Sequence, residues 1–87
     1  MKIKYEMIKR EIAGETYLVP VGEAARKYSG LFAMTDVAAF IWDCIPQVAS
    51  TDDIVKAVLD EYEVDSETAK NDVDEFMEKL KTMGVLE

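Results

Sequence analysis

Between Met34 and Thr35 the chain changes its periodicity, and this junction constrains the fold more than any other feature. The stretch from Gly30 to Ile45 reads GLFAMTDVAAFIWDCI. It opens with a short apolar run, Leu31 to Met34, that has strand character. Thr35 follows, and its hydroxyl can accept a hydrogen bond from a free backbone N–H in the first turn of a helix. From Val37 onward, Val37, Ala38, Ile41, Cys44 and Ile45 fall at helical spacing, and Phe40 and Trp42 broaden the stripe. Strand and helix meet with almost no linker. The patterns before the junction are of β type, and those after it are of α type.

Upstream, residues 2–12 and 15–20 are strand candidates. Ile3, Tyr5 and Met7 alternate with Lys4 and Glu6, as in a half-buried strand. The alternation shifts phase at Met7-Ile8, which predicts a bulge there. Ala13-Gly14 is a turn signal, and Pro20, having no donor, ends the second strand. The two segments read as a hairpin. Residues 21–30 form a connection in which Glu23 to Tyr28 is long enough for one helical turn. Leu31–Met34 is the third strand candidate.

Downstream, Pro46 stops a helix over about 36–45, because its ring disfavours continuation. Ser50 and Asp53 are spaced as a capping box for a second helix running to about Tyr62. Asp65 caps a third, in which Ala69, Val73, Phe76, Met77, Leu80 and Met83 form a stripe over about four turns. Gly84 supplies the stop, and Val85-Leu86 has strand character. The order is β-β-β-α-α-α followed by a short β tail. That order predicts an α+β domain, a winged helix-turn-helix with a three-stranded antiparallel N-terminal sheet packed on a three-helix bundle. At 87 residues the chain has room for one core, so residues 1–87 are expected to be a single domain.

The chain lacks the residues that most chemistry needs. It has no histidine, which removes the usual general base, proton shuttle and nitrogen metal ligand. Its one cysteine, Cys44, lies on an apolar stripe with no histidine partner and no nearby run of positive charge, so it reads as a core residue. No phosphate loop or dinucleotide fingerprint occurs. The sequence therefore predicts no catalysis, no cofactor and no metal. A lone cysteine, the lack of a secretory signal and the absence of a run of ~20 apolar residues predict a cytoplasmic chain with no membrane span.

Charge narrows the choice of partner. The net charge is −8, but residues 1–34 carry +2 and the rest carries −10. One reading is simply a solvated acidic face that keeps the chain in solution. The third predicted helix bears three lysines against six carboxylates and no arginine, a poor match to phosphates, so nucleic acid is not an expected partner. A protein or peptide remains. If Leu31–Met34 lies at a sheet edge, its unpaired backbone groups can accept an extended peptide as another strand.

Taken together, GLFAMTDVAAFIWDCI and the run STDDIVKAVLDEYEVDSETAKNDVDEFMEKLKTMGVLE resemble the PqqD family, small peptide chaperones named for pyrroloquinoline quinone biosynthesis. The resemblance covers about residues 5–87. Its most specific parts are Phe40-Ile41-Trp42, the run Tyr62 to Asp65, and Asp72-Val73 with Phe76. It implies non-catalytic binding of the leader segment of a ribosomally made precursor peptide, which is presented to a modifying enzyme, often a radical S-adenosylmethionine enzyme. Carried onto this chain, the leader would add as a strand at Leu31, Phe32, Ala33 and Met34. It would lie beside Val73, Phe76, Met77, Leu80 and Lys81, with Met77 and Lys81 at the groove rim. Three departures concern local geometry. Thr35 stands where the family often has an asparagine cap, Ala38-Ala39 contains no glycine, and Pro46-Gln47-Val48 replaces an acidic-glycine turn. These departures also weaken assignment to the quinone pathway itself. The alternatives are a winged-helix DNA-binding regulator and a homodimerisation module using the same strand edge.

Overall fold

A computed structural model describes residues 1–86. Three strands, β1 (Met7–Ile12), β2 (Glu15–Pro20) and β3 (Phe32–Met34), form one antiparallel sheet in the order β1-β2-β3. Four helices accompany it: α1 (Glu23–Lys27), α2 (Asp36–Cys44), α3 (Thr51–Glu61) and α4 (Ser66–Met83). A 3-10 turn at Ile45–Gln47, with Pro46 inside it, follows α2 directly. The class is α+β, with the sheet drawn entirely from the N-terminal part of the chain.

Each element has a local cause. Ala13 and Gly14 both take positive φ, 53° and 82°, so a two-residue loop joins β1 to β2 with the twist a hairpin needs. Thr35 ends β3 and caps α2, its Oγ1 accepting from the Ala38 N–H at 3.1 Å. Ser50 accepts from the Asp53 N–H at 3.4 Å, and the Asp53 carboxylate accepts from the Ala49 N–H at 3.3 Å, closing the start of α3 from both sides. Asp65 accepts from the Thr68 N–H at 2.7 Å at the start of α4. At the other end of α4 the chain leaves in a Schellman turn. Val85 N–H bonds to the Leu80 carbonyl and Gly84 N–H to the Lys81 carbonyl, both at 3.0 Å. Gly84 adopts φ 77°, where a side chain would be strained.

The core runs between the inner face of the sheet and helices α2, α3 and α4. Leu18, Ile41, Ile45, Ile54, Val58, Val73, Leu80 and Val85 are fully buried in it. Each contributes about 1.5–3 kcal/mol by leaving water. Lys9 on β1 forms an ion pair with Asp43 on α2 at the solvent boundary.

Three expectations about the elements are corrected. The first strand begins at Met7, not at residue 2, and Ile3 forms only an isolated bridge with Leu86. No bulge occurs at Met7-Ile8, because the register runs unbroken from Met7↔Pro20 to Ile12↔Glu15. The inward phase of Ile3, Tyr5 and Met7 does not change, and the apparent shift arises because Ile8 and Ile12 are apolar residues exposed at 37% and 47% on the opposite face. The third strand begins at Phe32, not at Leu31, while the helical turn allowed over Glu23 to Tyr28 forms as Glu23–Lys27, seated by the buried Ala24.

Candidate functional site

The sheet has one edge that opens onto the helices. β3 pairs only with β2, through Thr16↔Met34, Tyr17↔Ala33 and Leu18↔Phe32. The ladder identifies which backbone groups face outward. Val21 N–H bonds to the Glu6 carbonyl at 3.3 Å, so Glu6 and Val21 are a bonded pair. Bonded pairs alternate along an antiparallel ladder. Ile8↔Val19, Arg10↔Tyr17 and Ile12↔Glu15 are therefore bonded across β1 and β2, and Thr16 and Leu18 turn their N–H and C=O toward β3. Pro20, which has no N–H, falls in the phase that points away from β1. Phe32 and Met34 accordingly bond to β2, and Ala33 presents its N–H and C=O to the open edge.

A groove lies along this edge, with a volume of about 620 Å³. One wall is Leu31, Phe32, Ala33 and Met34. Leu18 and Ile41 belong to its floor, and Thr35, Val37 and Ala38 at the start of α2 also line it. The far wall is α4, through Asp72, Glu75, Phe76, Lys79, Leu80 and Met83. A smaller hollow lined by Glu75, Glu78, Lys79, Thr82 and Met83 adjoins that wall.

Tyr28 ties the two walls together. Its hydroxyl donates to the Met83 carbonyl, and its ring meets Phe32 edge-on at 6.0 Å. Tyr5 packs edge-on against the other side of Tyr28 at 5.8 Å. The Lys27 ammonium donates to the Tyr5 hydroxyl at 3.3 Å, and this bond raises the lysine's pKa. On the other side of α2, Phe40 meets Tyr62 edge-on at 5.5 Å, and Tyr62 Oη donates to the Asp36 carbonyl at 3.5 Å.

The groove brings together only some of the residues that the sequence selects. Leu31, Phe32, Ala33, Met34, Phe76 and Leu80 line it. Val73 and Met77 do not, being only 0% and 3% exposed within the core. Lys81 is exposed, but it is outside the lining. The expected rim residues Met77 and Lys81 thus lie outside the groove lining, and helix geometry gives the reason. Successive residues turn by about 100°, so Lys81 sits ~200° round from Lys79 and faces away. Ala69, Val73, Met77 and Leu80 make one stripe, whereas Asp72, Phe76, Lys79 and Met83, spaced 4, 3 and 4, make a second beside it. That second spacing is legible in the sequence, but two charged residues in it hide it from a search for apolar periodicity.

The groove lining holds Asp72, Glu75 and Lys79 as its charged side chains and contains no cysteine. Among the described residues no polar or charged side chain is buried. Nor does any group of three or more Cys, Asp or Glu there have the arrangement to hold a metal ion. Burial, and secondarily the Asp43 carboxylate, push the Cys44 thiol up, away from the reactive thiolate. No helix among the described residues is long and apolar enough to cross a membrane. What the site can do chemically is exchange backbone hydrogen bonds at Ala33 and bury apolar side chains beside them.

Comparison with known proteins bears on this geometry. A family model described as coenzyme PQQ synthesis protein D (PqqD) matches residues 14–86. A solved structure described as TbiB1 in complex with the TbiA(beta) leader peptide is similar over 100% of this chain and 95% of its own. The two share 26% identity and superpose with a TM-score of 0.71. No curated protein sequence matches the chain.

Proposed function

This chain belongs to the PqqD family, and on that premise we propose that it binds the leader segment of a ribosomally made precursor peptide without catalysing its modification. The leader adds as a fourth strand at β3 and presents the rest of the precursor to a modifying enzyme, for which a radical S-adenosylmethionine enzyme is our proposed class. The observation that carries the reading is the open edge at Ala33 facing a largely apolar groove. Strand addition gains affinity from main-chain hydrogen bonds and selectivity from side-chain pockets, and this site has both. The similar structure, TbiB1, is a complex with a leader peptide, which supports the same class of ligand here. The acidic residues of the α4 wall repel phosphate, which disfavours a nucleic-acid ligand.

The open edge also suits a second copy of the chain pairing β3 to β3. A leader that binds there competes with such a dimer, so sedimentation with and without peptide separates the two.

The direct test is an NMR titration with synthetic leader segments from any short precursor-like reading frame found near this chain's gene. The expected result is binding at micromolar or tighter affinity, with the largest amide shifts at residues 31–35 and on α4 near Phe76 and Met83. Shifts confined to α3 or to β1 would overturn the reading.

A further inference from the structure

The groove is polarised along its length. At one end Tyr28 holds Phe32 to Met83, and the lining is apolar. Eight and eleven residues earlier on α4, Glu75 and Asp72 line the same groove. At 1.5 Å per residue they lie about 12 and 16 Å from Met83. The only lysine in the lining, Lys79, is 3.9 Å from Glu75 in an exposed i,i+4 pair, which leaves Asp72 with no partner among the described residues. An exposed pair of this kind is weak and opens readily.

We propose that the site selects a leader with the inward-facing pattern apolar-x-apolar-x-basic, or its reverse, the lysine or arginine lying against Asp72 and Glu75. This rests on the strand-addition reading above and adds to it a register and a charge. A residue bonded opposite Ala33 points its side chain to the outer face of the sheet, as Ala33 does. Its two neighbours then point inward, on the same face as Phe32 and Met34. Inward positions recur every second residue, so positions i, i+2 and i+4 span about 13 Å. This matches the ~12 Å from Met83 to Glu75. With the added strand lying along α4, the first inward side chain meets Met83 and Leu80, the second meets Phe76 and the aliphatic stem of Lys79, whose ammonium leans to Glu75, and the third meets carboxylates.

A displayed library of random twelve-residue peptides, selected on the immobilised protein, tests this without a known precursor. The wild-type pool is expected to enrich the spaced pattern with lysine or arginine at its end. Selection on the Asp72→Lys, Glu75→Lys double variant, both positions being exposed, is expected to enrich aspartate or glutamate there instead. For one resynthesised wild-type winner, exchanging the basic residue for glutamate is expected to weaken binding about tenfold at low salt and less at high salt. Circular dichroism confirms that each variant is folded. Spaced apolar peptides with no charge bias, whose enrichment is lost on Ala33→Pro, would overturn the charge selection and leave strand addition intact. A pool that Ala33→Pro leaves unchanged, or no enrichment at all, would overturn both.

Discussion

Helix α4 has two adjacent flanks with opposite fates. Ala69, Val73, Met77 and Leu80 are no more than 3% exposed and hold the helix to the core. Asp72, Glu75, Phe76, Lys79 and Met83, roughly a quarter turn away, form a wall of the groove. Leu80 is shared by both. A helix stripe wider than about 100° can be covered on one side and left open on the other. Here the uncovered part is where β3 stops short of α4. Under the proposed function, stability and recognition separate on one helix, and substitutions that distinguish the flanks measure how separable they are.

The largest expected effect is on the core flank. Met77→Ala should cost about 2–5 kcal/mol of stability by leaving a cavity, while the fraction still folded binds peptide with unchanged affinity. Phe76→Ala should do the reverse, with a smaller loss of stability because the ring is only half-buried, and a clear loss of affinity. Urea unfolding followed by peptide titration reads both quantities, and equal stability losses would break the distinction between flanks.

The opposite wall comes next. Ala33→Pro removes the N–H that faces the open edge, so affinity should fall about tenfold or more with the fold kept. Lys9→Pro makes the same change at the other edge of the sheet, in the same ladder phase, and should leave peptide affinity unaltered. Anisotropy titrations of the two variants compare the edges directly.

Tyr28→Phe sharpens the comparison by loosening the tie between the walls. Removing the hydroxyl bonded to the Met83 carbonyl should cost about 0.5–1.5 kcal/mol in urea unfolding. Affinity should also fall if wall spacing matters to the ligand, and unchanged affinity would show that β3 alone sets it.

The smallest effect lies at the start of α4. The hydrogen bond from the Thr68 N–H holds the Asp65 carboxyl below its ordinary value of 3.8. A lowered native pKa means that the cap's contribution is complete above the unfolded value and is lost as pH falls through the native one. Unfolding midpoints measured below about pH 4 should therefore fall less steeply for Asp65→Asn, a cap that does not titrate, than for the wild type.

Much of this fold was legible in the chain. The Ala13-Gly14 turn, the caps at Thr35, Ser50 and Asp65, the break at Pro46 and the stop at Gly84 each depend on a few neighbouring residues. Their chemistry is local, and the structure forms each of them where the pattern predicts. The apolar run Leu31–Met34, of which Phe32–Met34 forms β3, was likewise readable as a candidate edge. The start of β1 was not, because alternation continues through residues 2–6 and only the pairing partner, β2, ends at Pro20. The short helix at Glu23–Lys27 lacks the length for a periodic signal, and it is seated by the burial of one alanine.

The sequence by itself determined the β-then-α order, most of the element ends and the absence of histidine. Tertiary structure alone decided which edge of the sheet stays open and which flank of α4 faces it. The physical reason is that burial is a property of pairs of elements distant in the chain. One broad apolar stripe on α4 fits several placements, and the tie from Tyr28 to Met83, 55 residues apart, accompanies the one that leaves Asp72, Phe76 and Lys79 facing β3.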